Sequence, residues 1–284
     1  MTFKEITLKQ ILKLALLMAI GFLTNVAVAQ QQACKVVTYG PGGLTDQLFR
    51  IMEKHNPNFR VTYRIAAYNV TSVELLSQDP SYMMLSPPVF YSKQNPRPDP
   101  NIEMVKVLSS SNAAIVTNKD IKISDLANKK LNVGIPAFAQ YSHVLSLTLQ
   151  QKNSDLNIVV VPPNQAPGLI KQGDLDIYIH TEPTVDTFVN NFNFRKISVI
   201  RPDIESDFNG IKTKSLHFSS IWISKTANQK QREHINSCLQ TLVDNKAFEE
   251  DLAKTGSTSR LSLPKSESSQ YLLDFISMLR NFNL

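Results

Sequence analysis

Short strand-like segments alternate with amphipathic helical segments from residue 35 onwards, and this alternation limits the fold more than any other feature. The strand-like segments are residues 35–39, 59–65, 82–85, 105–108, 113–117, 131–135, 156–161, 175–179, 197–200 and 218–223. The helical segments are residues 44–52, 70–77, 141–152 and 166–172, and the helical pattern returns from residue 228 and ends with 271–284. Strands that alternate with helices are typical of α/β units, so the sequence predicts an α/β fold with mostly parallel sheets.

The first 29 residues have the order of a secretory signal peptide. Lys4, Lys9 and Lys13 precede ten apolar residues at positions 14–23, and Ala27-Val28-Ala29 follows as a small-residue cleavage site. The apolar run is half of the roughly 20 residues that a membrane-spanning helix needs. We therefore expect cleavage after Ala29 and a periplasmic product, with an uncleaved N-terminal anchor as the alternative. A lipid anchor on Cys34 is rejected, because the preceding Gln31-Gln32-Ala33 does not resemble a lipobox.

The charge of the chain argues against a nucleic-acid partner. The formal net charge is +6 at pH 7, and loss of the signal segment removes three lysines and one glutamate, which leaves about +4. These charges are spread along the chain without a Lys/Arg block or a basic stripe interleaved with aromatic residues. The mild excess suits an anionic ligand, although its commonest meaning is solubility alone.

The chain contains two cysteines, Cys34 and Cys238. In an oxidising compartment two cysteines can pair, and this pair would close a loop of about 200 residues. Sequence spacing alone does not bring them into contact, so a disulfide and two buried free thiols both remain open.

A glycine-rich segment, Tyr39-Gly-Pro-Gly-Gly-Leu-Thr-Asp46, lies directly between a strand-like and a helical segment. Glycine allows a ligand to approach the backbone closely, and the start of a helix directs N–H groups and a positive dipole end at an anion. No Gly-Lys-Ser/Thr follows, which disfavours a nucleotide site. The segment therefore predicts an anion site, with a tight structural turn as the alternative.

A second segment, residues 134–143, has the same position between a strand and a helix. Ser142 here and Asp46 in the first segment lie near helix starts, where side-chain oxygens commonly cap backbone N–H groups. Two such loops in separate halves of the chain are stronger evidence than either alone. They predict that an anion is held from both sides.

Pro41-Gly-Gly-Leu-Thr-Asp46 is similar to the Pro-Gly-Gly-x-x-Asp signature of the tripartite tricarboxylate transporter substrate-binding proteins, also called Bug proteins. Further motifs resemble those of this family in the same order. Residues 68–70 and 79–85 resemble its second helix and following strand. Residues 124–126, 130–134 and 142–143 resemble its strand, ligand loop and helix start, and residues 172–177 resemble its Gly-Gln-x-Asp turn.

This resemblance implies a two-lobed periplasmic binding protein of type II, a Venus-flytrap with two crossing hinge strands. The first lobe would comprise residues 30–117 and 218–284, and the second residues 118–217. A monomer would capture a small carboxylate between the lobes and deliver it to a membrane transporter, with no cofactor or metal. The ligand-binding residues would be Tyr39, Pro41, Gly42, Gly43, Leu44, Thr45, Asp46, Asn69, Ser86, Gly134, Ala137, Gln140, Tyr141, Ser142, His143, Thr181 and Glu182.

Two features depart from the family. The glycine-rich stretch after its second strand is here Ala66-Ala-Tyr-Asn69, which contains no glycine and should reshape the cleft. Glu182 would repel an anion unless it is protonated or turned away. A ligand sensor, or an exported interaction protein with an altered cleft, therefore stays open beside the transport receptor.

An enzyme is not expected. Ser142 and His143 are neighbours in sequence and would point in different directions, and no Gly-x-Ser-x-Gly elbow is present. His180 and Glu182 could share one face of a strand, but two ligands without a third make a poor zinc site.

Overall fold

Two large β-sheets organise the described part of the chain. The computed structural model describes residues 32–39, 44–64, 70–88, 99–138, 140–208 and 210–282, so the predicted signal segment lies outside the described residues. The strands are β1 (Cys34–Tyr39), β2 (Phe59–Arg64), β3 (Met83–Ser86), β4 (Ile102–Ser111), β5 (Ala113–Thr117), β6 (Leu131–Ile135), β7 (Leu156–Val160), β8 (Ile177–Thr181), β9 (Arg195–Ile200), β10 (Ser206–Phe208), β11 (Ile211–Thr213), β12 (His217–Ser224) and β13 (Ser257–Ser259).

Helices connect most of these strands. They are α1 (Leu44–His55), α2 (Val70–Gln78), α3 (Tyr141–Lys152), α4 (Ala166–Gln172), α5 (Glu182–Phe192), α6 (Gln229–Gln240), α7 (Lys246–Lys254) and α8 (Lys265–Arg280), with a 3-10 helix at Ile123–Ala127. No helix within the described ranges is both long and apolar enough to cross a membrane.

The first sheet has six strands in the order β13-β4-β12-β3-β1-β2. Strand β1 pairs in parallel with β2 and β3, whereas β12 runs antiparallel to β3 and β4. Leu48, Phe49 and Met52 of α1 are fully buried in one apolar cluster with residues of α6 and α7. A disulfide joins Cys34 at the start of β1 to Cys238 on α6.

The second sheet has five strands in the order β7-β6-β8-β5-β9. Strand β6 pairs in parallel with β7 and β8, and β5 runs antiparallel to β8 and β9. Residues 113–117, which the sequence analysis assigned to the first lobe, pair in this second sheet. Parallel pairing is confined to one end of each sheet, β3-β1-β2 and β7-β6-β8, and the other pairs in both sheets are antiparallel, so the prediction of mostly parallel sheets is wrong.

The chain passes between the two sheets at two crossings. Asn112 alone separates β4 from β5, and residues 201–216, which include the small β10–β11 hairpin, lead from β9 of the second sheet to β12 of the first. Asn112 is fixed from both sides, because its N–H donates to the carbonyl of Gly256 and its carbonyl accepts from the N–H of Glu182. These crossings match the two predicted hinge connections.

Four elements were not predicted: α5, the 3-10 helix, the β10–β11 hairpin and β13. Helix α5 begins with Glu182-Pro183. In a sequence, a proline directly after a strand suggests a loop, although the first turn of a helix tolerates proline. Strand β8 lies two residues later than the predicted 175–179, and α8 begins at Lys265 instead of residue 271. The other elements lie within a few residues of the predicted ranges.

Candidate functional site

The carboxyl ends of the parallel strands in the first sheet form one edge of the candidate site. Strands β1 and β3 run in the same direction and end at Tyr39 and Ser86, and α1 begins beyond β1. Strand β12 runs the opposite way, with Ser220 paired to Ser86. His217, the first residue of β12, therefore lies beyond the carboxyl end of β3.

The second sheet contributes the carboxyl ends of β6 and β8. Helix α3 begins after β6, and α5 begins directly after β8. The ring of His217 lies 6.3 Å from the ring of Tyr141 on α3 and 6.3 Å from the ring of His180 on β8, measured between centroids. The edges of the two sheets thus meet at these three side chains.

A narrow pocket lies at this meeting point. Its lining residues are Pro87, Pro88, Gln140, Tyr141, Leu216, His217, Phe218 and Phe275. They come from the end of β3, the start of α3, the second crossing, the start of β12, and α8. The free volume is about 10 Å³, which is room for no more than about one water molecule. A larger ligand requires the walls to move apart.

Helix α3 directs its N-terminus at this pocket through Gln140 and Tyr141. Gln140 is the N-cap residue, its side chain makes no capping hydrogen bond, and the first turn contains no acidic residue. Ser142, the second helical residue, is fully buried, and its Oγ has no hydrogen-bond partner among the described residues. Ser142 is therefore not hydrogen-bonded to His143, which excludes a nucleophile–base pair between them in this structure.

His180 and His217 are both buried and stack with an interplanar angle of 21°. Burial lowers the pKa of His217 to about 4. Burial, together with the neighbouring His217, lowers the pKa of His180 to about 3. Both rings are therefore uncharged at neutral pH.

The hydrogen bonds differ between these two histidines. The backbone N–H of Thr181 donates to Nδ1 of His180 at 2.7 Å, which leaves the proton of the neutral ring on Nε2. Nε2 of His217 has no hydrogen-bond partner among the described residues. A buried polar atom without a partner is costly, and at the wall of a pocket it indicates a contact that a ligand can complete.

The start of α1 carries its own carboxylate. Leu44, Thr45 and Asp46 are buried there. Asp46 accepts a hydrogen bond from the hydroxyl of Tyr63, and Nε of Arg50 lies 3.4 Å from Oδ1 of Asp46. Asp46 is thus held by protein groups in this structure.

Glu182 occupies the start of α5 and faces the first crossing. Lys196 Nζ lies 2.7 Å from Oε1, and Asn112 donates to Oε2 at 2.7 Å. Burial opposes ionisation of this carboxyl, but the hydrogen bonds from Lys196 and Asn112 outweigh it, and the pKa of Glu182 lies below its usual value. Glu182 is ionised and paired, which removes the repulsion expected for an unpaired carboxylate.

Four further predicted residues are described, and none of them is among the lining residues of the pocket. Thr181 is buried, with its Oγ1 2.9 Å from Nδ1 of His180, and Ser86 Oγ donates to the carbonyl of Pro87. Ala137 is buried, and the ring of His143 packs edge-on against Phe138. Pro41, Gly42, Gly43, Asn69 and the side chain of Tyr39 lie outside the described residues.

Gly134 has a packing role in this structure. A Cβ at this position would lie 2.7 Å from the ring of Tyr178 and 2.8 Å from a methyl carbon of Leu175. Glycine is therefore required for Tyr178 to pack against β6.

The lining residues Pro87, Pro88, Leu216, His217, Phe218 and Phe275 were not predicted, and His180 was considered only as a poor metal ligand. The two histidines are isolated along the chain, and nothing in their spacing shows that their strands begin and end at the same cleft. Only the pairing of β12 with β3 places His217 opposite α3. The one signal for this site was the position of His217, which is the first residue of a strand that follows a crossing.

Comparison with solved structures places this architecture among periplasmic binding proteins. No family model and no curated protein matches the sequence. The R. palustris protein Rpa4515 with adipate superposes with a TM-score of 0.71 at 14% identity, over 89% of this chain and 96% of that one. MatC (Rpa3494) from Rhodopseudomonas palustris with bound malate gives 0.68 at 14% identity, over 88% and 99%.

The periplasmic binding protein BugD gives a TM-score of 0.65 at 12% identity, over 88% of this chain and 97% of that one. At sequence identities this low, the structural similarity establishes a shared fold and nothing further. The predicted fold class, a two-lobed α/β Venus-flytrap, is confirmed.

Proposed function

We propose that this chain is a periplasmic solute-binding protein of the tripartite tricarboxylate transporter, or Bug, type. It captures a small carboxylate between two lobes and delivers it to a membrane transporter. The proposal is supported by the shared fold, by the malate and adipate in MatC and Rpa4515, and by the motifs that resemble the family. The expected signal peptide agrees with this location.

The two lobes of this proposal are built on the two sheets. The six-stranded sheet with α1, α2, α6 and α7 forms the first lobe, and the five-stranded sheet with α3, α4 and α5 forms the second. The sheet pairing favours a lobe boundary at Asn112 and at residues 214–216. The first crossing is a single residue, and the second contains the β10–β11 hairpin between β9 and β12.

The proposal rests on one observation: the N-terminus of α3 and the side chain of His217 line the same pocket. A helix N-terminus favours an anion because its first N–H groups have no partner inside the helix and its dipole is positive there. Gln140 and Tyr141 bring this N-terminus to the pocket, and His217, whose buried Nε2 has no hydrogen-bond partner among the described residues, lines the same pocket. A carboxylate between them would bridge the two lobes.

Bridging explains how the ligand would act without catalysis. To shift open and closed forms from 1:99 to 99:1, a ligand must bind the closed form better by about 5.5 kcal/mol. Hydrogen bonds to a charged group contribute about 1.5–3 kcal/mol each, so a few such contacts suffice. The closed form would then be the one that the membrane transporter recognises.

Thermal unfolding of the purified protein with a panel of mono-, di- and tricarboxylates tests the proposal. Ligand at 100 times its dissociation constant adds about 2.7 kcal/mol and raises the midpoint by several degrees. A selective rise supports the receptor. No rise with any carboxylate, where non-carboxylate metabolites do raise the midpoint, contradicts it.

A second candidate is an exported interaction protein, or a sensor, with an altered cleft. The small free volume of the pocket favours this alternative, as does the glycine-free segment at residues 66–69. An unfolding midpoint that stays the same in every metabolite of a broad panel would support the interaction protein, whereas a ligand sensor would still be stabilised by its ligand.

A further inference from the structure

We infer that the chain binds a zinc ion through Cys34, His234 and Cys238 when the disulfide is open. The two sulfur atoms and a ring nitrogen of His234 all lie within 4.8 Å of one another. Cys34 is the first residue of β1, whereas the candidate carboxylate site adjoins the carboxyl end of this strand, about 16 Å away. The zinc site is therefore separate from the cleft and independent of the proposed function.

Two of the three ligands lie on one face of α6. His234 and Cys238 are four positions apart in this helix, and residues with that spacing are neighbours on the helix surface. Nε2 of His234 lies 3.7 Å from Sγ of Cys238. In a tetrahedral zinc site, with Zn–N of about 2.0–2.1 Å and Zn–S of about 2.3 Å, the nitrogen and the sulfur are about 3.6 Å apart. The two side chains therefore have the separation of two ligands of one zinc ion.

Packing keeps the third ligand, Cys34, beside this helix independently of the disulfide. The N–H of Cys34 donates to the carbonyl of Asn58 at 2.9 Å, and β1 is paired on both sides in the sheet. Ile235 and Leu239 of α6 are buried in the same apolar cluster as Val36 of β1. Two sulfurs bound to one tetrahedral zinc are about 3.8 Å apart. Rotation of the cysteine side chains supplies that separation once the bond between them is open.

The disulfide and the zinc ion exclude each other. Zinc binds cysteine as the thiolate, and in the disulfide the two sulfurs are bonded to one another. In the dithiol form, Zn²⁺ displaces the two thiol protons, which pass to the solvent, and the two thiolates neutralise its charge. Three protein ligands leave the fourth position of the ion to water. Every chain is synthesised as the dithiol, so zinc can bind before the disulfide forms.

The route to the ion passes His234. Both cysteines are 3% exposed, whereas His234 is half-buried. The sulfurs alone are therefore closed to solvent, and the imidazole lies between them and the surface. Zinc bound here would join β1 to α6, the same two elements that the disulfide joins.

Isothermal titration of the whole chain with Zn²⁺, in both redox states and without oxygen, tests the site. A phosphine reductant opens the disulfide, because one phosphine and one water give one phosphine oxide and two thiols, and it is removed before the titration. The reduced protein should bind one zinc ion per chain. The oxidised protein retains every histidine and carboxylate and should bind at least a hundredfold more weakly. Equal affinity of the two forms overturns the inference.

A pair of variants tests His234 as a ligand. His234→Ala should weaken zinc binding by the reduced protein at least tenfold. Asn236→Ala, an exposed position on the same helix, is the control and should change binding less than twofold. Thermal unfolding of both oxidised variants shows that they are folded. Equal affinity of the two reduced variants overturns the assignment of His234.

Thermal unfolding of the reduced protein separates a folded site from binding by thiols of an unfolded chain. Zinc should raise the midpoint of the reduced native protein by several degrees and leave that of the oxidised protein unchanged, because the ion binds the folded form. If the reduced chain is unfolded without metal, zinc should restore its native far-UV circular dichroism. A midpoint that does not rise, or a reduced chain that stays unfolded with zinc, overturns the inference.

Discussion

At the scale of single residues, the two buried histidines carry the clearest consequence for stability. In the unfolded chain His180 and His217 bind protons below their usual pKa of about 6.5. In the folded chain burial holds their pKa values at about 3 and about 4. Below pH 6.5 the unfolded state therefore binds more protons, and the free energy of unfolding falls as the pH falls.

We predict a loss of up to about 1.4 kcal/mol per pH unit for each of these histidines as the pH drops below 6.5. Urea unfolding at pH 7, 6 and 5 measures it. The measurement is confined to pH 5 and above. At more acidic pH, carboxylates with lowered pKa values, such as Asp251 and Glu182, also lose their contribution to the free energy of unfolding. His180→Gln should flatten the dependence, and a variant with the slope of the native protein would contradict the assignment to this pair.

Gly256 provides a second residue-scale prediction. Its φ is +65°, and a Cβ there would lie 2.7 Å from Oε2 of Glu182, which binds Asn112 at the crossing. Gly256→Ala should therefore cost about 1–3 kcal/mol, from backbone strain together with displacement of Glu182. Gly210 has a φ of +77° and open space around its Cβ position. In urea unfolding Gly210→Ala should lose only the strain component, and equal losses would contradict the contact with Glu182.

At the scale of elements, the disulfide between β1 and α6 is the strongest covalent constraint. Cys34 and Cys238 are 204 positions apart, so the bond restricts a large part of the unfolded chain. Replacing both cysteines by serine should lower the free energy of unfolding by about 2–4 kcal/mol. Reduced and oxidised native protein in the same thermal experiment provide the control. An unchanged midpoint in both tests would contradict a stabilising role.

Element prediction succeeded where local patterning and tertiary packing agree. The segment predicted as a helix at residues 141–152 is α3, and its buried face includes Val144, Leu145 and Leu149. Prediction failed for α5, because Glu182-Pro183 resembles a loop after a strand. The helix follows from its context: Thr181 forms the N-cap, and Val185 and Phe188 become buried.

At the scale of the molecule, the order of strands and helices predicted an α/β fold, and the family resemblance implied two lobes with two crossings. The site was predicted in part: the α3 N-terminus was identified, but its partner across the cleft was not. His217 faces Tyr141 and His180 only because β12 pairs antiparallel with β3, and no local pattern encodes that pairing. The same limit applies to Glu182, whose pairing with Lys196 depends on the packing of α5 near β9.

The central claim is that a carboxylate binds between the two sheets, at the start of α3 and the start of β12. Hydrogen exchange with and without the carboxylate that most raises the unfolding midpoint tests it most directly. We predict that the ligand slows exchange at residues 140–144 and at residues 215–219 together, because one ligand contacts both lobes. Protection confined to one of these segments, or found only elsewhere in the chain, would contradict the bridging site.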